Sequence, residues 1–316
     1  MNRRSFLKGA GALAVAPLVS LRAGPPSQRS RVLRAAHLTD LHVLADAPGY
    51  DRPEEGMISA LRHAQGQADR PDMILFGGDM IMDSLKTSKE EALALWSLWS
   101  RIFSAEVRLP YHLALGNHDV WGWAVHDQPA ISRDPDYGKA LAMRHLGLDK
   151  SYYSFDRGGW HFVMLDSLQI DYGATSGYVL RLDDEQFAWL AGDLSATNPK
   201  TPVCVLSHAP ILAVCPLVDQ HIMTSGNWII PGALTHRDSR RIKNLFSRHP
   251  NVKLCLSGHV HLVDDVTYRG VRYCCNGAVS GNWWKGDYEE YGPCYALVDF
   301  YDDGSVENHL VPYRRG

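Results

Sequence analysis

Five short polar runs recur down this 316-residue chain, and each follows directly on an apolar stretch rich in β-branched or aromatic residues. Asp40-Leu41-His42 follows residues 32–38, Gly78-Asp79 follows 73–76, and Gly116-Asn117-His118-Asp119 follows 111–115. Further on, Ser207-His208 follows 203–206, and Gly258-His259-Val260-His261 follows 252–256. Stretches of that length and composition predict buried strands. The candidate metal ligands and proton carriers therefore all lie at the carboxyl ends of strands, the edge at which ligands bind in open α/β sheets.

Between those strands the sequence offers helices over 54–68, 89–103, 184–196 and 236–248. The second carries Leu93, Trp96, Leu98 and Trp99 among polar positions, and Thr235 with Asp238 resembles a capping arrangement at the start of the last. Residues 152–166 read as a hairpin turning at Arg157-Gly158-Gly159, and 263–313 as a strand-rich tail. The expected fold class is α/β, two packed mixed sheets with helices outside, in a single domain over residues 31–316. Neither an internal repeat nor a second shift in composition divides that span.

The N-terminus stands apart from this pattern. Asn2-Arg3-Arg4-Ser5-Phe6-Leu7-Lys8 precedes a small-residue apolar stretch at 10–21 and a processing point near Ala23, the layout of a twin-arginine export signal. The apolar stretch is too short and too rich in Gly and Ala for a stable membrane span, with a retained N-terminal anchor as the alternative. Residues 24–31, with Pro25 and Pro26, read as a linker, so signal and linker are expected over 1–30. The signal implies the twin-arginine export machinery as a partner and a periplasmic or otherwise exported location. A route that carries folded proteins suits a chain that must take up metals before it crosses the membrane.

Over the whole chain, 45% hydrophobic and 21% charged residues are the proportions of an ordinary globular protein. A formal net charge of -3 argues against general nucleic-acid binding, which needs a basic face, and leaves room for a small phosphorylated substrate. The six cysteines are not spaced as a disulfide framework, although an exported protein meets an oxidising compartment. Cys204 and Cys255 lie four residues before His208 and His259 and read as small core residues. Cys274 and Cys275 are adjacent and should point to opposite faces of a strand, while Cys215 and Cys294 have no assigned partner.

A single histidine proves little, but the set converges. On an extended strand end Asp40 and His42, two apart, leave the same face and can close on one ion, and His259 and His261 repeat the spacing. Asp79 follows two glycines, which leave its carboxylate free to bridge two cations. Asn117 adds a neutral oxygen ligand and His208 a further imidazole. Two carboxylates and four imidazoles gathered in one cleft would be poorly compensated without cations. The donor mix suits two divalent or trivalent transition-metal ions, Fe, Mn or Zn, rather than Ca or Mg, and such a pair predicts a hydrolase.

Through Asp40-x-His42, Gly78-Asp79, Gly116-Asn117-His118-Asp119, His208 and Gly258-His259-x-His261, the chain resembles the calcineurin-like metallophosphoesterases over nearly all of its length after the linker. The resemblance implies a four-layered αββα sandwich. It implies one metal held by Asp40, His42, Asp79 and His261, and a second held by Asp79, Asn117, His208 and His259. Purple acid phosphatases place a tyrosine ligand three positions after the bridging aspartate; Met82 stands there in this chain, so a purple Fe(III) site is not expected. The layout is more similar to the branch that includes bacterial cyclic-nucleotide phosphodiesterases, although export makes intracellular cyclic AMP a poor match as natural substrate. What the resemblance implies is an exported, metal-dependent phosphoric ester hydrolase. It would cleave phosphodiesters by attack of a metal-bridging hydroxide, with His118 as catalytic proton donor. Asp119 either orients His118 or caps the following turn. An exported phosphomonoesterase and a non-catalytic metal-binding scaffold are the alternatives, and a complete ligand set together with His118 favours an enzyme.

Recognition of a small phosphorylated substrate is expected from loops beyond the strand ends. Trp121 and Trp123 follow Asn117-His118, and Trp283 and Trp284 follow Gly281-Asn282. Each pair either stacks on a base, sugar or acyl group or packs its own loop. Asn282 and Trp283 are the candidate substrate-binding residues. Residues 211–234 form a long loop carrying His221, Trp228 and Pro231, a length that suits a lid or binding element.

Overall fold

Alternation along the first strand sets the layering. In β1 (Arg31–Leu38), Leu33 and Ala35 face one apolar layer while Ala36 and Leu38 face another. Both sides of the strand are buried, as in a sheet covered on each face. The computed structural model describes residues 29–125, 128–219, 222–224 and 226–313; the signal sequence, most of the linker and His221 lie outside them.

After β1 come α1 (Pro53–Gln65), β2 (Met73–Phe76), α2 (Lys89–Glu106), β3 (Tyr111–Leu113) and the short helices α3 (Gln128–Ile131) and α4 (Lys139–Leu146). The hairpin β4 (Tyr153–Arg157) and β5 (Trp160–Leu165) leads to a second hairpin, β6 (Leu168–Ile170) and β7 (Tyr178–Leu180), then to α5 (Asp184–Ala196) and β8 (Val203–Ser207). Next are α6 (Pro216–Asp219), β9 (Ile222–Thr224), β10 (Asn227–Ile229) and α7 (Ser239–Phe246). The last strands are β11 (Val252–Ser257), β12 (Val263–Tyr268), β13 (Val271–Asn276), β14 (Cys294–Tyr301) and β15 (Val306–Pro312).

One large sheet runs β15-β14-β1-β2-β3, with β1, β2 and β3 parallel and β14 and β15 added antiparallel. The other runs β12-β13-β11-β8-β5-β4, parallel at its centre and antiparallel at both edges. Their facing sides bury Leu75, Val298 and Phe300 of the first sheet with Phe162, Leu206 and Leu256 of the second. Outside the first sheet, Ile74 and Phe76 pack with Met57 and Leu61 of α1 and Trp96 and Trp99 of α2. Outside the second, Val163, Val205 and Cys255 pack with Leu190 of α5 and Ile242 and Phe246 of α7. The layers are therefore helix, sheet, sheet, helix, the expected αββα sandwich.

Local chemistry explains most element ends. Helix α2 starts from a reciprocal cap in which the Ser88 hydroxyl accepts from Glu91 N (3.2 Å) while Glu91 Oε2 accepts from Ser88 N (2.9 Å). The β4–β5 turn falls at Gly158 and Gly159, both at positive φ. The helix start expected at Thr235 and Asp238 is corrected: α7 begins at Ser239 and the Asp238 side chain does not cap it. Its carboxylate instead accepts from Leu182 N (3.0 Å) and pairs with His236 Nδ1 (3.0 Å), so the tertiary partner wins over the local one. All six cysteines are buried free thiols; Cys274 faces the layer between the sheets, and Cys275 the opposite side of β13 with Cys215 and Val260. Among the described residues, no helix is long and apolar enough to cross a membrane.

A polar staple ties the β4–β5 hairpin to α5. His161 Nδ1 lies 2.7 Å from Asp156 Oδ1, and its Nε2 lies 2.9 Å from Asp193 Oδ2. The Asp193 carboxylate, helped by Asp156, raises the imidazole above its ordinary value of 6.5. A group whose pKa is raised by folding holds its proton more tightly in the folded state. Its stabilisation is fully present below the unfolded value and fades as pH rises through the folded one. His161→Gln should therefore lose more stability in urea unfolding at about pH 5.5 than at about pH 9. Equal losses at both would count against the staple.

Candidate metal centre

The carboxyl ends of β1, β2 and β3 in one sheet and of β8 and β11 in the other meet at one end of the sandwich. The loops leaving them bring together every ligand expected from the sequence. His42 Nε2 lies 3.1 Å from His261 Nε2 and 3.6 Å from Asp79 Oδ2, and His261 Nε2 lies 3.4 Å from Asp40 Oδ1. On the other side, His208 Nε2 is 3.3 Å from Asp79 Oδ2, 3.1 Å from Asn117 Oδ1 and 3.2 Å from His259 Nδ1. Asp79 Oδ2 thus stands between two nests, Asp40, His42 and His261 on one side and Asn117, His208 and His259 on the other. All of these residues but His259 are buried, and His259 is partly so.

The second nitrogen of each imidazole decides which atom faces the centre. His42 Nδ1 donates to Met82 O (3.3 Å), His208 Nδ1 to Gly77 O (2.8 Å), His259 Nε2 to Ala233 O (2.6 Å) and His261 Nδ1 to Gly281 O (2.5 Å). A carbonyl can only accept, so each nitrogen facing one carries the hydrogen. With both imidazoles neutral, the Nε2 atoms of His42 and His261 therefore aim lone pairs at each other, whereas His208, which Asp79 keeps protonated, has a second N–H on Nε2 facing Asn117 Oδ1 and His259 Nδ1. Lone pairs at that separation repel unless a cation lies between them, and a cation in the second nest would take the place of the His208 proton. The residues fit a pair of metal ions, and the carbonyl on the far nitrogen is the usual orienting partner of a ligating histidine.

The electrostatics agree. Burial drives His42 down to about 3 and His259 down to about 4, so both are neutral and free to ligate. Burial also opposes charge on His208, but Asp79 outweighs it and lifts this imidazole to about 9. Burial opposes ionisation of Asp40 and Asp79 as well, yet the surrounding histidines hold both below the usual carboxylate range.

The backbone corrects one expectation. Strand β1 stops at Leu38, and Asp40 and His42 are not on an extended end; their φ values of 55° and 44° lie in the left-handed region. Asp79 (53°), His259 (72°) and His261 (59°) share it. Each such residue costs about 1–3 kcal/mol and persists where its surroundings over-determine it, most often at functional sites. Here Asp40 N donates to Gly78 O (3.0 Å), His42 N to Asp79 O (2.9 Å), and His259 N to both oxygens of Asp40 (3.1 and 3.0 Å). The last contact requires glycine next door, because a Cβ on Gly258 would overlap Asp40 Oδ2 and Thr39 Oγ1.

Residues 33–263 match the family model of calcineurin-like phosphoesterases. The chain belongs to that family. Calcineurin-like phosphoesterases are metal-dependent phosphoric ester hydrolases with a dinuclear centre, and this chain is one of them. It is 26% identical over 290 residues to a 3',5'-cyclic-nucleotide phosphodiesterase of Nostoc sp., covering 88% of this chain and 92% of that one. It is 25% identical over 259 residues to the 3',5'-cyclic adenosine monophosphate phosphodiesterase CpdA of Escherichia coli K12, covering 80% and 78%. A dimetal phosphatase from Danio rerio shares the fold, with a TM-score of 0.59 at 15% identity over 90% of this chain and 100% of that one. Residues 1–20 match the twin-arginine translocation signal, which marks the chain for export through that pathway, to a periplasmic or otherwise exported location.

In this calcineurin-like phosphoesterase His118 stands beside the first nest. Its backbone N–H donates to Asp79 Oδ1 (2.7 Å), its ring meets that of His42 edge-on at 4.7 Å, and its Nδ1 lies 3.5 Å from Asp83 Oδ1. Burial opposes charge on His118, but Asp79 and Asp83 outweigh it and hold the imidazole up at about 8. Asp83 is the residue that sequence reasoning misses; its only signal is a place on the loop that carries Asp79. Asp119 takes the turn role: its Oδ2 closes the Asn117–Asp119 turn by accepting from Gly116 N (2.9 Å), while Oδ1 accepts from Met80 N (2.7 Å). That buried carboxylate is one of the ties between the loops after β2 and β3, beside Ser84 N donating to His118 O (2.9 Å).

Of the four tryptophans near the ligand runs, Trp121, Trp123 and Trp284 are buried and pack their loops. Trp283 is partly exposed, its ring stacked on that of His261 at 4.1 Å. Asn282 is half-buried, and its backbone N–H closes a turn on Gly286 O (3.0 Å). The 211–234 segment is built from α6 and the β9–β10 hairpin, and it ends by presenting Ala233 O to His259. Two substitutions test the geometry by metal analysis: Asp79→Asn, which weakens the shared oxygen, and Gly258→Ala, which displaces Asp40, should each lower bound transition metal below wild-type content. Full loading of both variants would refute the assignment.

Proposed function

We propose that this chain is an exported dinuclear phosphodiesterase. Asp40, His42, Asp79 and His261 hold one transition-metal ion, and Asp79, Asn117, His208 and His259 hold the other, with Fe, Mn or Zn as the metals. The observation that carries the reading is the two pairs of inward-facing ring nitrogens, His42 with His261 and His208 with His259, on either side of one carboxylate oxygen. When bound, two such ions activate water and offset the charge of phosphoryl oxygens.

The chain's own residues position and protonate. Asp79 offers Oδ2 to both nests, and its Oδ1 accepts from His118 N, so the shared ligand and the acid are set by one hydrogen bond. His118, lifted to about 8, is protonated at neutral pH. Its Nδ1 faces Asp83, which leaves Nε2 to give a proton to the departing alkoxide oxygen. The diester preference draws support from two relatives, both named as cyclic-nucleotide phosphodiesterases. Substrates outside the cytoplasm follow from the export signal.

Mature protein reconstituted with Mn, Fe or Zn should hydrolyse bis-p-nitrophenyl phosphate faster than p-nitrophenyl phosphate, and Asp79→Asn should abolish both. Monoester preference would make the chain an exported phosphomonoesterase, and no turnover with both ions bound would favour a non-catalytic scaffold. His118→Ala should keep its metals and lose about 10²–10⁴-fold in kcat; an emptied site in that variant would sink the proton-donor role. A proton donor acts only while protonated, so kcat should fall as pH rises past about 8. Asp83→Asn removes a charge that raises His118, and the alkaline limb should then move to lower pH; an unmoved limb would separate Asp83 from the acid.

A further inference from the structure

We propose that Trp283 is a platform for the non-phosphate part of the substrate, and that the group it selects is a planar aromatic ring such as a nucleobase. The inference rests on the phosphoesterase reading above. Its starting point is the backbone: Trp283 (φ 46°) and Trp284 (φ 64°) are consecutive left-handed residues, a conformation that bulky side chains rarely adopt. Such a pair survives only where the surroundings impose it.

They do so through Trp284. That residue is fully buried; its backbone N–H donates to Ser280 O (2.8 Å), its indole N–H donates to His42 O (2.8 Å), and its carbonyl accepts from Asp51 N (2.6 Å). Its ring fills the space beside α1 that Gly56 leaves open, where any Cβ would overlap it. With Trp284 locked inward, Trp283 is turned to the metal centre. Its ring stacks on His261 at 4.1 Å and 28°, meets Tyr288 edge-on at 5.7 Å, and lies 5.8 Å from the His42 ring.

Packing alone does not call for this arrangement. Trp284 anchors the loop without its neighbour, and His261 is already oriented by Gly281 O. What Trp283 adds is a flat, partly exposed indole in contact with two residues of the first nest, at the rim where the substituent of a bound phosphate ester leaves the site. Indole stacks on any aromatic ring with little regard to its polar edge, so the platform selects planarity rather than one base.

Titration calorimetry of the metal-loaded enzyme with AMP, ribose 5-phosphate and inorganic phosphate tests this. Wild type should bind AMP about tenfold more tightly than ribose 5-phosphate. Trp283→Leu should erase that difference with inorganic phosphate affinity and metal content unchanged, and Trp283→Phe should retain most of it. An unchanged AMP preference in Trp283→Leu overturns the platform and leaves the phosphoesterase reading intact. Loss of metal in Trp283→Leu would make the ring a support for His261 and overturn it as well. If metal-loaded wild type binds none of the three, the phosphoesterase reading fails first and the platform falls with it.

Discussion

Asp79 is 1% exposed, and its groups hold together loops from both sheets. Its Oδ2 faces His42 on one side and His208 on the other, its Oδ1 accepts from His118 N, and its backbone carbonyl accepts from His42 N. A carboxylate buried this deeply is unfavourable unless opposite charge or hydrogen bonds compensate it. The compensation comes from elements far apart in sequence, so the loops after β1, β2, β3 and β8 are each committed to the same point. A cation in each nest would complete that compensation, one relieving the facing nitrogens of His42 and His261 and the other replacing the proton of His208.

The sandwich makes such a point available. Parallel strands in both sheets end on the same side, and β1, β2, β8 and β11 are buried on both faces, which is why they read in the sequence as continuous apolar runs rather than alternating ones. That continuity made the strands legible, and the polar run at the end of each made the ligands legible with them. Helix α5 was legible from Asp184 to Ala196, and its start is fixed locally by Asp183, whose side chain accepts from Gln186 N at 2.7 Å. The start of α7 was not, because the Asp238 side chain is taken by Leu182 N and His236. Competition of that kind leaves no trace in local sequence.

Three features of the site were equally invisible. Spacing alone placed Asp40 and His42 on an extended end, whereas both are left-handed, a conformation set by hydrogen bonds to Gly78 O and Asp79 O in the neighbouring loop. Asp83 approaches His118 because the loops after β2 and β3 are joined there, Ser84 N donating to His118 O (2.9 Å) and Met80 N to Asp119 Oδ1 (2.7 Å). Trp283 and Trp284 are identical neighbours in the sequence, and a glycine in a distant helix decides which is buried. In each case the side chain is legible and its partner is not.

The two nests differ in a way that bears on how they fill. His42 in the first is held at about 3 by burial, so no proton competes for its inward nitrogen near neutral pH. His208 in the second is lifted to about 9 by Asp79, and it must release a proton when a cation takes its place. All ligands but His259 are buried, and they come from separate loops, so the nests form only as the chain folds. A signal for a pathway that carries folded proteins allows that filling to precede export.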